Sequence, residues 1–548
     1  MITDAFEQLE DEEGTRQGFC HIRIQQRTGR KTITTVQVRK VAMKSSVCTI
    51  LLLLSLRVIG VFLVRTWFVP DEIFQSVEVA HYAVFGVGHL SWEWRHSLRS
   101  VIHPSIIALV YWLLHFLGID SNFAIVFTPR FIHAILFAMS DLCFFDLAKR
   151  ILSTLEARFA LFSYTSCWFV WYCAPRTLSN SLETALSLIA LKWYPFKSLN
   201  RLCWPYMTIG AMTILIRPTA ILLWIPLGLW HLVRSQSRCR LILTTSLPAV
   251  LPILVIAFML DSWAYGKWTL STWNFAKFNV FEGGSSHFGA HPWHWFLSQG
   301  LPSTLTVQLI PIIGGVIAAL LWRKVTLSLL NICLFYVIFH SCLAHKEHRF
   351  MLPVIPLLCI YAGHFFGVAV RISTGIVHAL IALLIVVNVP TALYLGLYHQ
   401  VGPMSASEFI ANNAKMIYGI NEHFNVLQLM PCYSMPQYCH LHELNCTVRA
   451  LDCSPNLGNV ANFVDEADLF HSDPIAFVES NIDLVNDADY IVVYKKTFSM
   501  EYNCNGTTVE HPEYGEVIQL TGDQRQHIKD FLCKVGIVKE ENCKIHGF

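Results

Sequence analysis

Charged side chains are scarce in this chain of 548 residues. Asp, Glu, Lys and Arg together make up 14% of it, while hydrophobic residues make up 54%. A typical soluble domain carries about 25% charged residues. The composition therefore excludes an ordinary soluble enzyme and indicates a protein that lies largely in a membrane.

Several motifs of common enzyme classes are missing as well. The sequence has no glycine-rich phosphate loop, no Cys-x-x-Cys pair and no Ser, His and Asp in a hydrolase order. Nucleotide-binding, thioredoxin-like and hydrolase functions therefore lack support. Internal repeats of the kind common in transporters are absent too. We expect no nucleic acid among the partners.

A series of apolar runs is present instead, and a membrane-spanning helix needs about 20 such residues. The first run covers 46–69 and follows a polar segment in which Lys and Arg lie next to the run. Basic residues beside a span stay cytoplasmic, which predicts a cytosolic N-terminus. Further runs cover 101–118, 122–147, 159–174, 181–195, 206–233, 241–260, 305–322, 326–344, 350–370 and 373–399.

Two of these runs are predicted not to be simple crossings. The run 101–118 contains two histidines and a proline and can lie along the membrane surface. The run 206–233 is interrupted by Pro218 directly after Arg217. Because proline removes a helix hydrogen bond, we expect two short segments there. The chain then crosses the membrane about eleven times, and the loops rich in acids, His, Trp and Arg face the lumen.

The C-terminal part has a different composition. From residue 400 onward the chain has 9 Lys and Arg against 20 Asp and Glu, and it holds 7 of the 17 cysteines. Glycosylation sequons begin at Asn445 and Asn505. We predict a luminal segment with about one to three disulfides, whose pairing stays open. Three parts result: a mostly disordered cytosolic segment 1–45, a multi-spanning part 46–399 and a luminal domain 400–548.

The first luminal loop, 70–99, begins with Pro70, Asp71 and Glu72. Two acids in a first helical turn simply suit a helix start. The alternative is chemical, because a carboxylate at the rim of an apolar bundle loses hydration, its pKa rises, and it can act as a general base. Trp92 and Glu93 in the same loop suit either sugar binding or an interfacial aromatic belt.

A second group of charges is the run of five ionisable residues at 345–349, which we call the 345–349 corner. Such a run near a membrane is costly unless it binds something or marks the boundary. Lys346 and Arg349 are predicted to hold a lipid phosphate. We expect no metal, because the corner offers two histidines, His345 and His348, and no third ligand of that kind.

Other candidates are less specific. Arg176 and Arg217 are isolated between apolar runs, where snorkelling or helix capping explains them as well as function does. The stretch with His291, Trp293 and His294 is either an amphipathic helix on the bilayer or a loop that contacts lipid or sugar.

These motifs, in this order, resemble the dolichyl-phosphate-mannose-dependent mannosyltransferases of the membrane-embedded GT-C superfamily. The chain is most similar to members that add the third mannose of the glycosylphosphatidylinositol (GPI) anchor. The resemblance covers about 68–468 and implies an all-α polytopic GT-C fold with a small mixed luminal C-terminal domain. It rests on Pro70-Asp71-Glu72, Trp92-Glu93-Trp94, Arg176-Thr177-Leu178, Arg217-Pro218, His291-Pro292-Trp293-His294-Trp295 and His345-Lys346-Glu347 with Arg349.

The resemblance also implies a reaction. Mannose would pass from dolichyl phosphate mannose, in α-1,2 linkage and with inversion, to the second mannose of a GPI precursor lipid in the endoplasmic reticulum membrane. It implies no metal and no cofactor, and its partners are the two lipid substrates and the membrane lipids. Asp71 is expected to be the base, with Glu72 as the alternative. The remaining expected substrate-binding residues are Lys346, Arg349, His345, Glu347, Arg217, Arg176, Trp92, Glu93, His291, Trp293 and His294.

Three competing functions stay open at this point. One is a related mannosyltransferase of N-glycan precursor assembly or of the fourth GPI mannose. Another is a polytopic lipid or solute transporter, and the third is a non-catalytic assembly partner. The mannosyltransferase hypothesis depends on Asp71 and the 345–349 corner meeting in one pocket.

Overall fold

The computed structural model describes residues 23–24, 31–32, 35–196, 202–284, 289–322, 325–456, 463–494, 505–511 and 515–521. Most of the predicted segment 1–45 lies outside these residues, as do Cys504, Cys533 and Cys543. The side chain at the predicted sequon residue Asn505 is also outside the description.

The chain divides into two compact units, Met1–Leu56 and Arg57–Phe548. In the first unit, the short strands Arg23–Ile24 and Lys31–Thr32 pair antiparallel. Helix Thr35–Leu63 begins in this unit and continues into the second.

Helices dominate the described part of the second unit. Each apolar run of the sequence contributes to one or more of them, because a membrane core forces the backbone to satisfy its own hydrogen bonds. Their bounds are Ile73–Val77 (a π-helix), Glu78–Phe85, Trp92–Arg95, Ile102–Phe116, Asn122–Ile151, Thr154–Ser166, Trp168–Cys173, Ser179–Leu191, Trp204–Ile216, Ile221–Arg234, Arg238–Tyr265, Ser271–Ala276, Lys277–Phe281, Phe296–Trp322, Ser328–Cys342, His348–Met351, Ile355–Ile372, Thr374–Leu397, Gly402–Ile417, Glu466–Ser472, Pro474–Ser480 and Ile482–Asn486.

Five helical stretches are long and apolar enough to cross a membrane, and four shorter apolar helices accompany them in the described part of the chain. This confirms the predicted all-α membrane architecture, while the count of about eleven crossings stays a prediction. The five are Asn122–Ile151, Arg238–Tyr265, Phe296–Trp322, Ile355–Ile372 and Thr374–Ile417.

The interruption expected at Arg217 is present. Helix Trp204–Ile216 ends there, Arg217 is extended with φ −140° and ψ 103°, and a 3₁₀ turn at Pro218–Ala220 precedes helix Ile221–Arg234. A polar side chain is thereby placed at a break between two apolar helices.

The predicted run 159–174 is not continuous. It divides into helices Thr154–Ser166 and Trp168–Cys173, with Cys167 extended between them. The freed backbone N–H of Trp168 donates to the side-chain oxygen of Asn388 at 3.0 Å. The break therefore leaves no unsatisfied donor at this position, which the hydropathy of the run could not reveal.

The largest apolar core lies among the central helices. Helix Ile355–Ile372 packs closely on helix Thr154–Ser166, since a Cβ placed at Gly363 would lie 2.5 Å from the carbonyl oxygen of Glu156. Small residues allow membrane helices to approach in this way.

The C-terminal part folds as a small α/β layer structure, which confirms the predicted mixed domain. Its three-stranded parallel sheet has the order Cys446–Ala450, Phe424–Leu429, Tyr490–Val493. Val426 packs with helix Gly402–Ile417 on one face of this sheet, and Leu427 packs with the later helices on the other. Neighbouring residues of a strand point to opposite faces, so one strand serves both layers.

One disulfide, Cys432–Cys453, forms in the described part of this domain. It lies within the predicted number. Cys439 and Cys446 carry free thiols there.

The strands Asn505–His511 and Gly515–Thr521 form a hairpin that pairs with no other strand described here. A chain ending at Tyr494 therefore keeps the parallel sheet complete. We expect it to match the full chain in membrane abundance and in resistance to limited proteolysis.

The matched control ends at Asp489 and so also removes the strand Tyr490–Val493, whose backbone pairs with Phe424–Leu429. This shorter chain is expected to lose abundance and resistance. If both truncations behave alike, the boundary placed after residue 494 is wrong.

Candidate active site

A cavity of about 550 Å³ lies where the loop 70–99, the helix break at Arg217 and the 345–349 corner meet. Its polar side carries three carboxylates and three arginines, Asp71, Glu93, Glu347, Arg99, Arg217 and Arg349, together with Gln75, His340 and His345. The other side is apolar and includes Ile214, Ile221, Leu222, Phe275, Val280, Phe339 and Leu343. The formal charges of these six side chains balance.

Asp71 and Arg349 meet in this cavity although 278 positions separate them. Arg349 donates through Nη1 to Oδ2 of Asp71, and its Nε donates to Glu347 at 2.7 Å. Burial would lower the pKa of Arg349, but the Asp71 and Glu347 carboxylates raise it. The guanidinium is thus a fixed positive charge shared by two acids.

Glu347 connects the rest of the 345–349 corner to this arginine. Its Oε1 lies 2.9 Å from Nε2 of His345. Burial raises the pKa of Glu347, but Arg349 and His345 outweigh it and hold the pKa well below its usual range. Glu347 is therefore ionised and anchors Arg349 even when Asp71 is engaged elsewhere.

Glu72 follows Asp71 in the chain but points elsewhere. Arg176 donates to its Oε2 at 2.5 Å and Arg130 to its Oε1 at 3.2 Å, and Glu72 is only 3% exposed. Successive helical residues point about 100° apart, so only one of the two acids can face the cavity. Arg176 forms its ion pair within this buried cluster and does not line the cavity.

Glu93 lies at the centre of a second polar group. It accepts hydrogen bonds from Gln75 at 3.0 Å and from Arg99 at 2.6 Å. The Arg99 guanidinium also lies 5.4 Å from the Phe275 ring. Trp92 lines the cavity beside them. Trp92 and Glu93 therefore both line the cavity, and their binding of a substrate stays a prediction.

Arg217 extends into the cavity from the helix break. Its Nε lies 3.2 Å from Glu183, its Nη1 donates to Ser179 at 3.2 Å, and its guanidinium lies 5.1 Å from the Phe350 ring. Arg349 lies over the same ring at 5.6 Å. The two arginines are therefore neighbours, held by different acids.

Lys346 is not in the cavity. Its ammonium donates to the backbone carbonyls of His291, at 2.9 Å, and of Leu343, and the residue is only 3% exposed. A role in phosphate binding would require it to leave these carbonyls. Lys346 thereby connects the stretch around His291 to the 345–349 corner.

The other predicted loop residues lie outside the cavity too. His291 stacks on Trp295 with ring centroids 4.9 Å apart, and Nδ1 of His294 lies 3.1 Å from the Ser298 hydroxyl. Trp293 is 70% exposed. Their surface position fits the alternative in which this stretch faces the bilayer.

Sequence reasoning missed Gln75, Arg99 and Tyr433 as cavity residues. Gln75 lies one helical turn after Asp71, so its spacing carried a usable signal. Arg99 looks like an ordinary boundary arginine before an apolar run. Tyr433 comes from the C-terminal domain, and no local pattern indicated that it would reach the cavity.

Among the described residues, no group of three or more His, Cys, Asp or Glu side chains is placed to hold a metal ion. The histidines of the cavity, His340 and His345, are engaged with Tyr336 and Glu347.

The profile of the Alg9-like mannosyltransferase family matches residues 48–442, well over half of the chain. The chain belongs to this family. The match includes every charged residue of the cavity and extends through Tyr433. It establishes that the protein is a membrane glycosyltransferase and removes the transporter hypothesis.

The chain is similar to particular named members of the Alg9-like family. The chain is 38% identical to a bovine protein named GPI alpha-1,2-mannosyltransferase 3, covering 78% of each. It is 37% identical to Drosophila melanogaster GPI mannosyltransferase 3, covering 79% of this chain and 76% of the relative.

A solved structure shows the same fold. ArnT from Cupriavidus metallidurans, bound to undecaprenyl phosphate, superposes with a TM-score of 0.54 at 14% identity, covering 87% of this chain and 98% of ArnT. This confirms the predicted GT-C architecture. Separately, the translation initiation factor SUI1 profile matches residues 492–538, which contain the isolated hairpin.

The two neighbouring acids should differ in what they stabilise. Glu72→Ala leaves Arg130 and Arg176 buried without their carboxylate, and breaking such a buried pair costs about 3–5 kcal/mol. We expect low membrane abundance and a lower thermal unfolding temperature in detergent.

Asp71→Asn is the comparison variant, because Arg349 keeps Glu347 and Asp71 is 21% exposed on its side chain. It should unfold near the temperature of the unmodified protein. Equal destabilisation by both variants would contradict the structural role assigned to Glu72.

Proposed function

We propose that this enzyme transfers mannose from dolichyl phosphate mannose to the 2-hydroxyl of the second mannose of a GPI precursor, adding the third mannose in α-1,2 linkage. The names of the relatives support this acceptor and linkage. The observation that carries the chemistry is the contact of Asp71 with Arg349 inside a mainly apolar cavity that also holds several charged side chains.

The two sides of the cavity suit a lipid-linked donor. An apolar wall that includes Phe275, Val280 and Phe339 can hold a prenyl chain, while Arg349 and Arg217 can bind the phosphate at its end. ArnT, which shares the fold, was solved with a polyprenyl phosphate. Dolichyl phosphate belongs to the same chemical class.

Arg349 links donor binding to the readiness of the base. It holds Asp71 through one nitrogen and Glu347 through the other two. A donor phosphate competes with Asp71 for the guanidinium, and Glu347 keeps the arginine in place during the exchange. Donor binding thereby frees the Asp71 carboxylate to face the acceptor.

The transfer is a single in-line displacement. Asp71 accepts the proton of the acceptor 2-hydroxyl while the oxygen of that hydroxyl bonds to C1 of the donor mannose. The bond from C1 to the phosphate oxygen breaks, and dolichyl phosphate departs. The β-linked donor gives an α-linked product, as one inversion requires. Arg349 and Arg217 stabilise the charge that develops on the phosphate.

We further propose that the enzyme lies in the endoplasmic reticulum membrane with its N-terminus in the cytosol and with the cavity and C-terminal domain in the lumen. The basic segment before the first span supports this orientation. The Cys432–Cys453 disulfide supports an oxidising compartment for the C-terminal domain.

The central test uses cells that lack the third-mannose step. Expression of this chain should remove the accumulated two-mannose GPI intermediate and restore surface GPI-anchored protein. Asp71→Asn should lower transfer by at least about 10²-fold, because a positioned base contributes that much, with unchanged membrane abundance. Lipid intermediates and surface protein report the two results.

Asp146→Asn is the matched control, since this acid lies on a half-exposed helix end and pairs with Lys149. It should behave like the unmodified chain. Near-normal transfer by Asp71→Asn would eliminate Asp71 as the base. If the chain instead corrects a defect in N-glycan precursors, the acceptor is wrong.

We propose that the reaction needs no metal ion or other cofactor, since a monophosphate leaving group can be stabilised by arginines alone. Transfer in detergent should stay within about twofold after chelation with EDTA, because Arg349 and Arg217 carry the charge stabilisation. Loss of transfer that Mg²⁺ or Mn²⁺ restores would overturn this.

A further inference from the structure

A segment of the C-terminal domain, residues 430–443, is bound to the first luminal loop through a buried acid. We call it the docking segment. Glu78 is fully buried. Its carboxylate accepts hydrogen bonds from the backbone N–H groups of Tyr438, Cys439 and His89, with N···O distances of 3.0, 3.2 and 3.1 Å. A buried carboxylate is tolerated only when donors surround it, so this contact fixes where the segment lies.

Further contacts hold the far end of the docking segment. Nε2 of His81 lies 2.8 Å from Nδ1 of His442. Glu443 accepts the backbone N–H at the start of helix Asn122–Ile151, at 3.1 Å. The docking segment is thus attached to two luminal elements of the membrane part, not suspended above them.

The near end of the docking segment presents Tyr433 to the cavity. Tyr433 has φ +58°, a left-handed conformation that non-glycine residues rarely adopt. The adjacent Cys432 is bonded to Cys453. Such a conformation persists where the surroundings determine it, often at functional sites. Here the disulfide on one side and the Glu78 contact on the other determine it.

The surroundings of Tyr433 differ from those of the arginines. Its ring lies 4.9 Å from that of Phe74 and 5.3 Å from that of His89, and the Trp92 backbone hydrogen-bonds its hydroxyl. Burial, the largest cause, lowers the pKa of His89 to about 4. Tyr433 therefore lies among aromatic side chains, with Glu93, Arg95 and Asp452 as the nearby charged groups.

An aromatic surface beside the hydrogen-bonding side chains of Gln75 and Glu93 suits a sugar. We propose that Tyr433 contacts the acceptor glycan and helps to determine acceptor specificity, and that the docking segment exists to place it there. This rests on the proposed function above. It assigns the C-terminal domain a direct part in the transfer.

The test is steady-state transfer by the full-length chain in detergent, with donor and a two-mannose GPI acceptor varied independently. Tyr433→Ala should raise the KM for acceptor about tenfold, and Tyr433→Phe less, because the first loses a ring face and a hydroxyl and the second only the hydroxyl. The kcat and the KM for donor should change less than twofold.

Two further variants make the result specific. The pair Cys432→Ser with Cys453→Ser frees the turn and should raise the KM for acceptor in the same way. Tyr490→Phe removes a hydroxyl of the sheet that donates to Asn413 of helix Gly402–Ile417 at 2.7 Å and should change neither KM.

The failures are distinguishable. If the unmodified chain does not use the two-mannose acceptor, the proposed function is wrong. If it does, but Tyr433→Ala leaves the KM for acceptor unchanged or raises the KM for donor instead, the role of Tyr433 is wrong. If Tyr433→Ala is too scarce to assay, Tyr433→Phe provides the test. An unchanged KM for acceptor in Tyr433→Phe would then overturn the proposal.

Discussion

The structure of the site depends on one guanidinium. Arg349 lies on a 3₁₀ turn at His348–Met351 and donates a hydrogen bond to Asp71. It also donates hydrogen bonds to the neighbouring Glu347. Without this pair of acids the arginine would be a buried, unpaired charge, which is costly beside a membrane. Without the arginine, two carboxylates would face each other across a cavity of low polarity. Arg349 therefore pairs both acids at once, and Glu347 still holds it when Asp71 is replaced.

This dependence explains why the charges of the cavity balance. A cavity with a surplus of arginine would bind any anion, and one with a surplus of acid would reject the donor phosphate. In the proposed mechanism the donor phosphate replaces Asp71 on Arg349 and so releases the carboxylate. Donor binding and activation of the acceptor would then follow from the same exchange.

The sequence predicted which charged residues line the cavity better than it predicted their individual contacts. Asp71, Arg217, Glu347 and Arg349 stand out because charges beside apolar runs need a reason, and all four line the cavity. The same logic could not separate Asp71 from Glu72, because the decision is the direction in which a helix faces. The π-helix Ile73–Val77 that follows is not readable from composition.

Lys346 shows the limit most clearly. Its charge and position favoured a phosphate ligand, yet its ammonium binds backbone carbonyls. Whether a lysine binds a ligand or caps a loop depends on which carbonyls happen to lie nearby, and this is a tertiary property. The fold was more accessible, because hydropathy fixes where helices form in a membrane. The helix break at Cys167 escaped prediction, since its compensating partner, Asn388, lies far away in the chain.

The C-terminal domain extends this reasoning beyond the membrane part. Its sheet is complete with strand Tyr490–Val493, and the hairpin after it pairs separately. What the domain contributes to the cavity comes from the opposite end of its sequence, where the docking segment lies against Glu78. A buried carboxylate satisfied by backbone N–H groups depends on the path of the partner chain more than on its side chains. Variation at Tyr433 can therefore alter the proposed acceptor surface while leaving the contact with Glu78 intact.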